Sequence, residues 1–140
     1  MRIVAALVLV AVSATTAAAS PSEGTQLTLR EYRVPAGTHP HDVAPAVDGG
    51  VWYTAQRTGE LGWLNPRTGR SRLTRLGAGS APHGVIVGPD GAPWITDGGL
   101  NAIVRVDPRT RKVRRFPLPA STGYANLNTC LLYTSPSPRD

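Results

Sequence analysis

PHGVIVGPDGAPWITDGGLNAIVRVDPRT, residues 82–110, aligns without a gap on PHDVAPAVDGGVWYTAQRTGELGWLNPRT, residues 40–68. The offset is 42 residues throughout, from His41/His83 through Asp48-Gly49/Asp90-Gly91, Trp52/Trp94 and Thr54/Thr96 to Asn65-Pro66-Arg67-Thr68/Asp107-Pro108-Arg109-Thr110. A fixed period of this size marks a repeat architecture, in which each unit is a small supersecondary structure stacked on its neighbour.

Each unit divides into four short strands. The first covers 42–46 and 84–88, and an Asp-Gly or Gly-Gly pair is expected to turn it in two residues, because such turns need positive φ. The second covers 51–55 and 93–96, and the third 61–64 and 102–106. The third leaves through a turn with Pro66 or Pro108, where φ near −65° is wanted. The fourth covers 71–75 and 112–116 and is basic on one face, as an edge strand should be. Four strands, a fixed Trp and Asp-Gly turns describe the blade of an all-β fold, a β-propeller. One small sheet cannot bury both faces, so Trp52 and Trp94 are expected to pack between blades.

Outside the repeat, Met1-Arg2, an apolar run to Ala14 and the Ala17-Ala18-Ala19 exit read as a secretory signal peptide over 1–19. Residues 20–31 form a leader and the approach to the first strand, and 32–129 a partial propeller whose third blade only begins at Asn126. Adding one period to Asp90, Gly91 and Trp94 lands on Leu132, Tyr133 and Pro136, so the pattern fails there. Residues 130–140, CLLYTSPSPRD, resemble the translation of a sequencing-library adapter and are expected to be a non-native tail. The single cysteine, Cys130, lies in that tail, so no disulfide framework is expected. The expected setting is secreted or extracytoplasmic in a bacterium, off the membrane once the signal is cleaved.

The formal net charge is +6. The basic residues scatter over turns and outer strands, with no groove-entering helix and no aromatic–basic platform, which argues against nucleic acid as a partner. In a propeller the entry loops and the loops between second and third strands share one mouth of the channel. His39, His41 and His83 lie on entry loops; Gln56, Asp97 and Asn101 lie on or beside the second-to-third loops. Tyr124 and Asn126 begin the third entry loop. Two imidazoles at one mouth suit proton transfer near neutrality or a rigid hydrogen-bonded loop. Two His and one Asp are thin for zinc. Asp97 stands where the sister repeat has Ala55; it reads either as a catalytic acid or as a turn cap before Gly98-Gly99.

The two quoted runs closely resemble the virginiamycin B lyase (streptogramin B lyase) family. The resemblance implies a seven-bladed propeller that opens streptogramin B-type cyclic depsipeptides by elimination at the ester, with Mg²⁺ as cofactor. It implies that His41 and His83, in the Pro-His motifs, and Asp97, where the family has Glu, are catalytic. His39, Gln56, Asn101, Tyr124 and Asn126 are the substrate-contact candidates; the metal ligands stay unassigned. Ala81 departs from the family pattern, which has an acid two residues before the second His. The family's catalytic pair also belongs to its last blades. Either the ring is permuted in its use of blades, or these are copies and the site lies beyond Thr129. Two rival readings are a propeller lactone or ester hydrolase and a non-catalytic propeller binding peptide or glycan. The expected partner is a small molecule or cyclic peptide, the parent a monomer, and the two blades by themselves inactive.

Overall fold

A computed structural model describes residues 28–128. The signal-peptide reading, most of the leader and the tail with Cys130 lie outside the described residues. All strands belong to one compact unit, Glu31–Asp140. They are β1 (Pro40–Pro45), β2 (Val51–Ala55), β3 (Glu60–Leu64), β4 (Ser71–Arg75), β5 (Pro82–Val87), β6 (Pro93–Asp97), β7 (Ala102–Val106) and β8 (Val113–Pro117). A 3₁₀ turn, Ala120–Thr122, follows. The strands form two four-stranded antiparallel sheets, each a simple meander, β1-β2-β3-β4 and β5-β6-β7-β8.

The turn after β1 differs from the two-residue expectation. Ala46 N–H bonds to Gly50 O at 2.9 Å, so three residues, Val47, Asp48 and Gly49, make the loop. Only Gly49 needs the left-handed region, with φ 79°. The Asp48 side chain accepts from Gly50 N–H at 3.0 Å and closes the bend. Gly88–Ala92 repeats the arrangement. Three-residue loops of this kind place glycine at the left-handed position and suit the strand twist.

The sheets pack with β5 against β1 and β2. Ala44, Trp52 and Leu61 of the first sheet meet Val85, Ile95, Val104 and Val106 of the second, with Leu76 between them, all buried. Each such aliphatic side chain contributes about 1.5–3 kcal/mol when taken fully out of water. At the outer edge Arg111 reaches from the second sheet to Leu73 O and Thr74 Oγ1 on β4, and Arg115 donates to Leu76 O at 2.9 Å. These guanidiniums satisfy edge acceptors that a lone sheet would leave to water.

The opposite face of the first sheet carries Tyr53, Ala55 and Leu64, packed with Tyr32 and Val34 from the segment before β1. Tyr32 Oη donates to Pro66 O at 2.7 Å. Counted in repeats, Tyr32 and Val34 are the counterparts of Thr74 and Leu76. The segment therefore lies on the first sheet where the end of β4 lies on the second.

Trp52 and Trp94 do not share one environment. Trp52 is 5% exposed in the inter-sheet core. Trp94 is half-buried on the free face of the second sheet, its ring 5.6 Å from that of Phe116. No described sheet covers it, and this is why the expectation of inter-sheet packing holds for Trp52 alone.

Candidate functional site

Both Pro-His strands begin with the same irregularity. Between Pro40 and Val43, and between Pro82 and Gly84, the register against the next strand slips by one residue. An extra residue bends a strand and re-aims its side chains, here at the two imidazoles. The slip leaves one backbone donor without its ladder partner, and a threonine supplies the acceptor. Thr54 Oγ1 accepts from Asp42 N–H at 3.0 Å, and Thr96 Oγ1 from Gly84 N–H at 2.9 Å. The Thr54/Thr96 identity in the repeat thus has a local cause.

Two further bonds lock the Pro-His strands together. The Thr54 hydroxyl donates to His83 O at 2.9 Å. Asp42 Oδ2 accepts from Val85 N–H at 2.9 Å, while Oδ1 accepts from Val43 N–H. The imidazoles of His41 and His83 consequently stand side by side, with ring centroids 3.7 Å apart and planes tilted by 49°. His41 is exposed and His83 partly so.

Burial, and then the neighbouring His41, push the His83 imidazole below its ordinary value, with Asp42 opposing them. The folded state therefore binds this proton more weakly than the unfolded chain. Stability from this residue is complete above about pH 6.5 and falls as pH drops through the lower folded value. Thermal melting at about pH 7.5 and about pH 5 should show a loss in acid that His83→Gln reduces. An equal loss in the variant would assign the acid sensitivity elsewhere.

Asp97 is fully buried, and its carboxylate serves the loops. Ser80 Oγ donates to Oδ2 at 2.5 Å, and Ala81 and Leu100 N–H donate to Oδ1 at 2.9 and 3.0 Å. The Leu100 bond is the turn cap that the sequence admits. The other two tie that turn to the entry loop leading to His83. Gly99 is packed on the same loop, where a Cβ would strike Gly79 O and Ala81 N.

The remaining candidates divide. Asn101, in the left-handed region with φ 49°, donates from Nδ2 to Gly123 O at 3.0 Å and accepts from Ala125 N–H at 2.9 Å. It clamps the loop that carries Tyr124 and Asn126. Tyr124 is 67% exposed, and Asn126 is exposed with φ 38°. His39 is exposed with φ 52°, and Gln56 is half-buried. The entry and second-to-third loops meet at one end: Gly98 N–H bonds to Ala81 O and Arg57 N–H to Thr38 O. The residue that sequence reasoning missed is Asp42. Its signal was a break in the repeat, a carboxylate where the sister unit has Gly84.

Solved structures share this two-sheet arrangement. A selenomethionine-substituted virginiamycin B lyase from Staphylococcus aureus superposes with a TM-score of 0.65 at 24% identity, over 71% of this chain and 33% of that one. A catalytically inactive variant of that lyase with quinupristin gives the same figures. A streptogramin B lyase gives a TM-score of 0.62 at 28% identity, over 68% of this chain and 32% of its own. This is homology to the streptogramin B lyases at moderate identity. The chain spans about a third of their length. No protein-family model matches the chain, and no curated protein does.

The Mg²⁺ expectation meets a mismatch. Mg²⁺ asks for near-octahedral oxygen ligands. Among the described residues no group of three or more His, Cys, Asp or Glu could hold a metal ion. The oxygens of Asp42 and Asp97 are engaged by N–H and O–H donors. The described residues do not fit the ion. Among them, too, no helix is long and apolar enough to cross a membrane.

Proposed function

We propose that the two sheets are successive blades of a secreted streptogramin-lyase-type propeller, and that the His41/His83 end faces the channel mouth where an ester-linked cyclic depsipeptide is opened by elimination. The observation that carries the reading is the pair of imidazoles 3.7 Å apart on adjacent sheets. It is supported by the relatives' architecture and by the burial that keeps His83 neutral near pH 7. A neutral imidazole is the form that accepts a proton. His83 takes the α-proton beside the carbonyl, the C–H electron pair becomes the new C=C bond, and the ester C–O pair leaves with the carboxylate. His41, next to it, disfavours the protonated form of His83 and so helps hold the base in its proton-accepting state. Asp97 and Asp42 act by positioning: one holds the loop before His83 and the other bolts the two Pro-His strands. His39, Gln56, Tyr124 and Asn126 line the approach for substrate.

A second reading has an observation of its own. Both nearby carboxylates are committed to backbone and hydroxyl donors. Carboxylates so engaged among the described residues suit a propeller that binds peptide or glycan without turning it over.

The test is the complete ring, with these two blades in place, incubated with a streptogramin B. The expected result is a linear, olefin-bearing product and a rate at least about a hundredfold lower for His83→Ala, the lower end of general-base effects. Unchanged turnover in that variant would move the proton transfer to other blades. Tight binding with no product would select the second reading.

A further inference from the structure

We infer that the chain holds a small oxyanion, phosphate or sulfate, between its two sheets at the end away from the histidines. A cavity of about 50 Å³ lies there. Asp48, from the turn after β1, lines it with Trp52, Trp63 and Arg72. The β7–β8 turn of the second sheet supplies Arg109 and Arg111. Trp52, Trp63 and Arg72 are register partners on β2, β3 and β4, so they form one row on the face packed against the second sheet. A water needs roughly 10–15 Å³ of such space, so the cavity has room for the few atoms of an oxyanion and little more.

Trp52 is the residue that calls for an acceptor. It is 5% exposed, and its Nε1 is buried with no hydrogen-bond partner among the described residues. A buried N–H left unpaired keeps its full desolvation cost. Such groups are rare in folded proteins and point to a bound water or ion. The carboxylate at the cavity is already engaged: Asp48 Oδ1 accepts from Gly50 N–H at 3.0 Å and from Trp63 Nε1–H at 3.1 Å.

Charge favours an anion over water. Arg72 lies over the Trp63 ring, 4.5 Å from its centroid. Among the described residues neither Arg72 nor Arg109 pairs with a carboxylate. Arg111 is pinned to Leu73 O and Thr74 Oγ1 through Nε and Nη2, which leaves the Nη1 donors uncommitted. The second unit differs, because Arg105 stands where Trp63 does and pairs with Asp90 at 2.6 Å. In the first unit an indole N–H takes the carboxylate instead, and the guanidiniums keep their charge. Three guanidiniums against one carboxylate give the cavity a positive balance, and their planar forks match the oxygens of phosphate or sulfate. The bound ion joins β4 to the β7–β8 turn and gives Trp52 its acceptor.

The purified chain is titrated with inorganic phosphate at fixed ionic strength, and the indole N–H signals of its three tryptophans are followed by NMR. Trp63→Phe and Trp94→Phe assign the Trp52 signal by elimination. The expected result is a saturable shift of the Trp52 signal while that of Trp94 stays still. Sulfate should compete, and sodium chloride at the same ionic strength should not reproduce the shift. Arg109→Gln, on an exposed turn, should weaken binding at least about tenfold, the least that a hydrogen bond to a charged group is worth. Arg67→Gln, its counterpart one repeat earlier, should leave binding unchanged. Competition by glycerol phosphate would admit the end group of a larger molecule, and its failure to compete would restrict the ligand to the free ion. A Trp52 signal that phosphate does not move, a shift that never saturates, or equal weakening by Arg109→Gln and Arg67→Gln would overturn the inference and leave the cavity to water.

Discussion

Asp97→Ala should lower the unfolding free energy by about 3–5 kcal/mol, read as a fall in the urea midpoint at unchanged slope. The carboxylate is completely buried and accepts three bonds, from Ser80 Oγ, Ala81 N–H and Leu100 N–H. Alanine leaves all three donors without an acceptor in a place water does not reach, and such donors keep their full desolvation cost. Asp97→Asn should lose less, because an amide oxygen still meets one backbone N–H and the side-chain volume is retained. A residue whose only work was catalysis would show no such loss. An unchanged midpoint for Asp97→Ala would therefore return Asp97 to the list of free acids at the mouth.

The second large effect separates two residues that the repeat equates. Trp52→Ala should cost about 3–5 kcal/mol, as for a buried aromatic whose cavity cannot collapse. Trp94→Ala should cost about 1–2 kcal/mol, mostly its stacking on Phe116 and partial burial. The comparison uses the same side chain in the same strand position, so local propensity cancels. What differs is the presence of a covering sheet. Equal losses for the two variants would mean that the free face of the second sheet is covered after all.

Much of the architecture was legible because its causes are short-range. Apolar alternation over five residues, Asp-Gly at strand ends and Asn-Pro-Arg-Thr before an outer strand place β2, β4 and β7 at the expected bounds. The other strands move by one or two residues. β1 and β5 start earlier, at Pro40 and Pro82, because the register slip lets the Pro-His pairs join the ladder. The Asp-Gly turns hold three residues rather than two because the Asp side chain supplies a hydrogen bond that a composition rule does not count.

The site was legible only in part. That His41 and His83 occupy equivalent places follows from the period. That their rings nearly touch depends on how one sheet lies on the next, held by Thr54 and Asp42 across a gap in sequence of 29 and 43 residues. Asp97 breaks the repeat, and the break has a local use in tying two loops. Asp42 breaks it too, beside a more conspicuous histidine, and its use lies across the sheets.

By itself, then, the order of residues determined the period, the four-strand unit, the turn positions and which side chains recur. Those depend on backbone preferences and alternation within a few residues, and each stretch carries them alone. Only the packed sheets decided that Trp52 is core while Trp94 is surface, that Asp97 faces Ser80 and Ala81, and that two imidazoles meet. Burial and pairing across sheets belong to surfaces that exist only after the chain has folded, so identical letters one repeat apart acquire different environments.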